Sequence, residues 1–348
     1  MLKHDKTWVA DAITKINADY NRSSDTHLIK VELPEFPNCD LYLKDESTHP
    51  TGSLKHRLAR SLFLYGLCNG HIGPTTTIIE SSSGSTAISE AYFARLLGLR
   101  FIAVVPEKTA QEKLRQIEFY GGECFKVAPT EISTKAHQLA SELQGHYMDQ
   151  FTFAERATDW RGNNNIAESI FTQMSCERFP IPRWIVMSAG TGGTSATIGR
   201  YLRLHPEYHV TTELAVADPE YSVFYDYYHN GDAAITCEQG SRIEGIGRPV
   251  VEPSFQPHVI DTMFKVPDAA AIATVRWLET VLGRKCGGST GTNVYAALQL
   301  LKVMRDNNEQ GSLVTLICDG GERYLNTYYN DDWVAEQGMD LTQYTLPG

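Results

Sequence analysis

The segment Pro50-Thr51-Gly52-Ser53-Leu54-Lys55-His56-Arg57 places a primary amine at the start of a helix. A Pro-Gly-Ser turn leads into a pattern whose apolar face is Leu54, Leu58, Leu62 and Tyr65, so Lys55 falls in the first helical turn. Near the positive end of a helix dipole, and beside His56 and Arg57, the ammonium form of that lysine is disfavoured. An amine held this way is a nucleophile for a carbonyl carbon. Taken alone, the segment also reads as an ordinary solvated lysine at a helix start.

Other segments are built to receive anions. Glu80-Ser81-Ser82-Ser83-Gly84-Ser85-Thr86 falls between a strand ending at Ile79 and a helix beginning near Ala87. Hydroxyls and free N–H groups at a helix N-terminus suit a carboxylate or a phosphate, and the run holds more serine than a plain N-cap needs. Ser188-Ala189-Gly190-Thr191-Gly192-Gly193-Thr194-Ser195 repeats the strand-to-helix arrangement with glycines that let the backbone close around a phosphate. It is neither a P-loop, since no Lys follows the last Gly, nor a G-x-G-x-x-G dinucleotide turn. Later come Cys286-Gly287-Gly288-Ser289-Thr290-Gly291-Thr292, which opens a helix, and Asp319-Gly320-Gly321-Glu322-Arg323-Tyr324, which follows a strand; singly, each reads as structural.

The elements that must position these loops follow from hydrophobic periodicity. Leu41 to Leu43, Thr77 to Ile79, Phe101 to Val105, Trp184 to Met187, Leu214 to Ala217 and Leu313 to Ile317 read as buried strands. Between them lie helices: Ala87, Ala91 and Ala94 share one face after Ser85, Ala196 to Leu202 continues the glycine-rich turn, and Thr109 with Glu112 signals a capping box before a stop at Gly121 and Gly122. Asn163 to Asn165 and the Tyr-rich run Tyr221 to Tyr228 read as loop or loop-edge material. Strand and helix in alternation predict an α/β fold with mostly parallel, twisted, open sheets.

At 348 residues the chain suits two domains of moderate size. A formal charge of −11 disfavours nucleic acid and anionic lipid surfaces. Seven scattered cysteines without a C-x-x-C pair predict reduced thiols and a cytoplasmic protein. The N-terminus, with Lys3, Asp5, Lys6 and Asp11, is too charged for a secretory segment, and no apolar run reaches a membrane span of ~18 residues.

Taken together and in order, PTGSLKHR, SSSGST, DQF, GTGGT, EGIG, CGGSTG and GERYL resemble the β-family of pyridoxal-phosphate enzymes, the fold-type II proteins that include cysteine synthase and cystathionine β-synthase. The resemblance runs from about Leu41 to Trp333. It implies a tryptophan-synthase-β-like fold of two domains: 1–50 with 151–348 as the large cofactor-binding domain, and 51–150 as a smaller mobile domain carrying the substrate-carboxylate loop. It also implies pyridoxal 5′-phosphate as the cofactor, a homodimer, no metal, no haem and no regulatory domain.

Carried over by position, the resemblance makes Lys55 the Schiff-base lysine and the group that moves the substrate Cα proton. Gly190, Thr191, Gly192, Gly193 and Thr194 would hold the cofactor phosphate, and Ser289 would face the pyridine nitrogen. Ser82, Ser83, Gly84 and Thr86, with Gln150 of the Asp149-Gln150-Phe151 run, would receive the substrate carboxylate; Gly245 would line the site near the amino group. A neutral serine at the pyridine nitrogen leaves the ring largely unprotonated, which favours loss of a β-leaving group. The chain departs from the family pattern in having Ser85 where most relatives carry an Asn on the cofactor ring oxygen, and His56 where many have Asp. Ala154 to Trp160 replaces the usual Asn-Pro-rich segment.

This combination looks most like the bacterial L-cysteine desulfhydrase branch, which splits cysteine to sulfide, pyruvate and ammonia. The alternatives are a synthase acting on O-acetylserine or a related activated serine, a nicotinamide-dependent oxidoreductase, and a non-catalytic protein that holds the cofactor.

Overall fold

The computed structural model describes residues 5–162 and 165–347. The strands are β1 His27–Val31, β2 Cys39–Asp45, β3 Ile78–Glu80, β4 Phe101–Pro106, β5 Glu123–Val127, β6 His146–Tyr147, β7 Trp184–Ser188, β8 Glu213–Pro219, β9 Thr262–Val266 and β10 Gly311–Ile317. The chain divides into two compact units, one of residues 1–25 and 49–158, the other of residues 26–48 and 159–348.

The first unit carries the parallel sheet β5-β4-β3-β6. Its helices are α1 Lys6–Asn21, α2 Lys55–Cys68, α3 Ser85–Leu97, α4 Gln111–Phe119, α5 Ile132–Glu142 and α6 Gln150–Ala157. Side chains alternate across a strand, and here the alternation feeds two cores. Ile78, Phe101, Ala103 and Val105 pack with Leu58, Leu62, Phe63, Ala87, Ala91 and Ala94 on one face, while Ile79, Ile102 and Val104 meet Ala136 and Leu139 of α5 on the other. Both faces are covered, so the interior strands read as continuous apolar runs.

The N-terminal helix changes the expected domain boundary. Ala12 and Ile16 of α1 are buried in the same core as α2 and α3, so residues 5–25 belong with the smaller unit and not with the large one. The expected capping box at Thr109 is also absent: its hydroxyl donates to the Pro106 carbonyl at 2.7 Å, and α4 starts with Ala110 at its N-cap and no side-chain cap. On α2 the buried face is Leu58, Ala59, Leu62, Phe63 and Leu67, with Leu54 and Tyr65 only half-buried.

The second unit carries the sheet β1-β2-β10-β7-β8-β9, parallel except for the antiparallel edge pair β1–β2. Its helices are α7 Ile166–Met174, α8 Gly193–Leu204, α9 Pro206–His209, α10 Phe224–Asn230, α11 Asp268–Leu282, α12 Gly288–Asp306 and α13 Asp331–Glu336. One face of the sheet, with Leu41, Leu43, Val186, Ala215, Ala217, Leu313 and Ile317, packs on α11 and α12. The intervening residues Tyr42, Ile185, Met187, Leu214, Val216, Val314 and Leu316 are buried as well.

The Tyr-rich run expected to be loop or loop edge is partly the helix α10, anchored where Phe224 stacks on Phe255 with centroids 4.1 Å apart. Of the asparagines expected in a loop, Asn163 and Asn164 lie outside the described residues, as do Met1 and Lys3; Asn165 caps α7, its side chain accepting the Glu168 N–H at 3.0 Å. Among the described residues no helix is long and apolar enough to cross a membrane.

Candidate active site

In parallel sheets the loops after the strands collect at one end, where ligands bind. In the first unit β3 and β6 are neighbours, so the loop that leaves Glu80 and the turn that leaves Tyr147 lie side by side. The first runs through Ser81, Ser82, Ser83 and Gly84 into α3, whose N-cap is Gly84 with no side-chain cap. The second places Asp149 at the N-cap of α6 in a left-handed conformation, its side chain accepting the Thr152 N–H.

A closed ring of hydrogen bonds joins the two. The Thr86 hydroxyl donates to the Gln150 side-chain carbonyl at 2.7 Å, and the Gln150 N–H donates to Oε2 of Glu80 at 3.2 Å. Oε1 of Glu80 receives the Ser81 N–H at 2.7 Å, and Ser81 Oγ lies 2.6 Å from the Tyr147 hydroxyl. Ser82, Ser83, Gly84 and Ser85 stay half-buried above this ring, whereas Thr86 and Gln150 are buried within it. Ser82, Ser83, Gly84 and Thr86 of the first loop and Gln150 of the second thus lie at the same end of this sheet.

Lys55 is the first residue of α2 and is half-buried. The segment before it is fixed to α3, because Thr51 Oγ1 lies 2.8 Å from Ser89 Oγ and 3.1 Å from Nδ1 of His56. His56 is buried, stacked on His49 and packed against Tyr92 and Phe93. The residue that replaces the usual Asp thus fills an aromatic cluster that ties α2 to α3.

The second unit builds the glycine-rich turn from Ser188, the last residue of β7, to Gly193, the first of α8. Gly192 is required by geometry: its φ is +86°, and a Cβ there would lie 2.6 Å from the Phe255 Cα and 2.7 Å from the Ser254 carbonyl oxygen. Gly192 has no side chain to cap α8; the Gly193 N–H donates to Thr191 Oγ1 at 3.2 Å, and the rest of the first turn points out of the helix end as an anion site does. Ser188 Oγ is buried without a partner beside this turn in sequence. A helix N-terminus with glycine at its N-cap, a glycine-built turn and a buried hydroxyl fit a phosphate group.

Two further loops converge on the same end of that sheet. The Gly247 N–H donates to the Ala189 carbonyl at 2.8 Å, which ties the 244–247 loop, with exposed Gly245, to the glycine-rich turn. The Tyr328 hydroxyl fixes the start of that loop by accepting the Glu244 N–H at 2.8 Å and donating to the Arg242 carbonyl at 3.0 Å. The start of α12 is held against the end of β10: Gly287 N–H donates to the Asp319 carbonyl at 3.1 Å, and Cys318 N–H to Thr290 Oγ1 at 3.2 Å. Ser289 sits buried in this first turn. Asp319, in turn, accepts from Tyr324 at 2.7 Å and Arg323 at 2.8 Å, which accounts for the Gly-Glu-Arg-Tyr run structurally.

Reading the sequence missed the buried acids beneath the carboxylate loop. Glu80 entered only as the first letter of a serine-rich segment, and Glu90 not at all. The available signal was a charge that shares its helix face with Ala87, Phe93 and Ala94.

The family model for pyridoxal-phosphate-dependent enzymes matches residues 23–319. L-cysteine desulfhydrase Cds1 of Mycobacterium tuberculosis (strain ATCC 25177 / H37Ra) is 56% identical over 340 residues, spanning 96% of this chain and 92% of that protein. A putative cysteine synthase of Sinorhizobium fredii (strain NBRC 101917 / NGR234) is 30% identical, covering 90% of each chain. Among solved structures, O-ureido-L-serine synthase superposes with a TM-score of 0.74 at 26% identity, over 94% of this chain and 98% of that one.

Proposed function

The chain belongs to the family of pyridoxal-phosphate-dependent enzymes, and on that premise we propose that it splits L-cysteine, with uptake of one water, into sulfide, pyruvate and ammonia. The observation that carries this reading is the 56% identity, over nearly the whole of both chains, to a protein named L-cysteine desulfhydrase. The bound cofactor supplies an electron sink that makes the Cα proton of the amino acid removable.

The chain supplies everything else. Lys55 would anchor the cofactor and is the group that would lift the Cα proton of the amino acid. Gly190, Thr191, Gly192, Gly193 and Thr194 hold the phosphate, which fixes orientation; Ser85 supports the ring, and Ser289 faces the pyridine nitrogen as a neutral partner. Ser82, Ser83, Gly84, Thr86 and Gln150 bind the cysteine carboxylate, and Gly245 lines the wall near its amino group. The helix N-termini at Ser85 and Gly193, each with a glycine at its N-cap, support both anion assignments. The enzyme works as a cytoplasmic homodimer, a setting in keeping with the free thiols of Cys39, Cys68, Cys124, Cys176, Cys237 and Cys286.

A second reading has its own support, since relatives at 30% and 26% identity are named as synthases. In β-replacement an activated serine replaces cysteine, and an added thiol captures the product of elimination. One substrate panel separates the two. Sulfide and pyruvate formed in equal amounts from cysteine alone establish the lyase; turnover of O-acetylserine only with added sulfide establishes the synthase and overturns the proposal.

A further inference from the structure

The roles above leave one buried pair unused. Glu80 closes β3 and Glu90 lies in the second turn of α3, and both are fully buried at 0% exposure. Glu80 is richly supplied with donors: Oε1 receives the Ser81 N–H at 2.7 Å and the Ser81 hydroxyl at 3.2 Å, and Oε2 receives the Gln150 N–H at 3.2 Å. A carboxylate so surrounded is the more readily ionised member of a pair.

Glu90 is its opposite. Among the described residues neither of its side-chain oxygens has an N–H or O–H donor, and the carboxyl that faces it is that of Glu80. Two buried carboxylates cannot both ionise face to face, and a carboxyl without donors that faces an acceptor must bring its own proton. We propose that Glu90 is held as a neutral acid that donates to Glu80, so that Glu90 is a positioning residue for the loop that takes the substrate carboxylate. The inference rests on the proposed role of residues 82–86 and 150.

The reach of this bond follows from the ring described above. Glu80 grips Ser81 at the start of one loop and Gln150 at the start of the other, while Thr86 closes the ring onto Gln150. A proton on Glu90 fixes the Glu80 rotamer, and Glu80 in turn fixes the distance between the two loops. Burial, then the facing Glu80 charge, pushes the Glu90 carboxyl well above the ordinary range. Burial also lifts Glu80 to about 7, opposed by the Ser81 and Gln150 N–H groups and aided by the nearby Asp149.

The test uses the holoenzyme and two substitutions. Glu90→Gln keeps the shape and an N–H donor to Glu80 but has no proton to lose; Glu90→Leu keeps the bulk and removes the donor. In the infrared difference spectrum of wild type minus E90Q at neutral pH, a protonated-carboxyl band is expected. The KM for cysteine should stay within about twofold of wild type in E90Q and rise about tenfold in E90L, with kcat less affected and the cofactor band unchanged. Absence of the infrared band, or a folded E90L with the wild-type KM, overturns the inference. Should E90L not fold, the infrared comparison decides alone. Thr86→Ala separates this from the underlying site reading. If T86A raises KM and E90L does not, Glu90 has no positioning role and the loop assignment stands. If T86A leaves KM unchanged, the loop assignment falls, and with it the role given to Glu90.

Discussion

At the scale of single residues, the proposed chemistry concentrates on Lys55. Replacing it with Ala should abolish the visible band of the bound cofactor and lower the sulfide-forming rate by at least about hundredfold, since both the anchor and the proton-transfer group are lost. Absorbance and a sulfide assay on the same preparation check this; a variant that keeps the band and the rate removes Lys55 from the mechanism. A separate prediction concerns stability. Burial pushes the Asp218 carboxyl up to about 7, only partly offset by hydrogen bonds from Ser222 and the Tyr225 N–H. The native state therefore binds a proton that the unfolded state, with an ordinary value of 3.8, has already released. Stability from this group is fully present below the unfolded value and falls as pH rises from there to about 7, by roughly 1–4 kcal/mol. Asp218→Asn keeps an acceptor for the Tyr225 N–H and removes the titration. Urea midpoints measured from acid to neutral pH should decline less in D218N than in wild type; parallel curves would refute the assignment. The glycine and hydroxyl clusters at the strand-to-helix junctions after β3 and β7 were legible because such clusters have few uses besides receiving an anion. The Glu80–Glu90 pair was not, because its meaning depends on which side chains pack against it.

At the scale of elements, the strands that periodicity found are those in sheet interiors. β2, β10, β7 and β8 in one sheet, and β4 and β3 in the other, have neighbours on both sides; every strand that was missed, β1, β9, β5 and β6, is a sheet edge. The cause is burial. An interior strand covered on both faces carries an apolar run, such as Leu41 to Leu43 in β2, whereas β5 reads Glu-Cys-Phe-Lys-Val with mostly exposed side chains. Thr109 misled for a related reason, since a hydroxyl near a helix start can serve a neighbouring carbonyl as readily as the cap. The Gly192 turn yields a prediction at this scale. Gly192→Ala demands φ of +86° from an alanine and drives its Cβ into the backbone of Ser254 and Phe255. The expected cost is about 1–3 kcal/mol, with a weakened hold on the cofactor phosphate. Gly84→Ala is the control: φ there is −110° and nothing lies within 4 Å of the added methyl, so stability should change by at most about 1 kcal/mol. Cofactor retained after gel filtration should fall for G192A and persist for G84A; equal retention would show that the turn does not grip the phosphate.

At the scale of the whole molecule, the cofactor is a ligand that binds the native state and not the unfolded chain. Each unit has its own buried core, so the fold does not depend on the cofactor for its apolar interior. Removing the cofactor should then leave a folded protein of lower melting temperature, not an unfolded one. The stabilisation follows the ratio of free ligand to dissociation constant and amounts to about 2.7 kcal/mol at a hundredfold excess over Kd. Calorimetry of the holoenzyme, of the apoenzyme and of the apoenzyme titrated with pyridoxal 5′-phosphate should show a transition that climbs with ligand concentration. The phosphate turn and Lys55 contribute separately to that climb. If Gly190 to Thr194 carry the grip, inorganic phosphate alone should raise the apoenzyme transition, and G192A should lose that response while K55A retains it. A phosphate response that survives in G192A would place the anion elsewhere, and the assignment of the turn would fall with it.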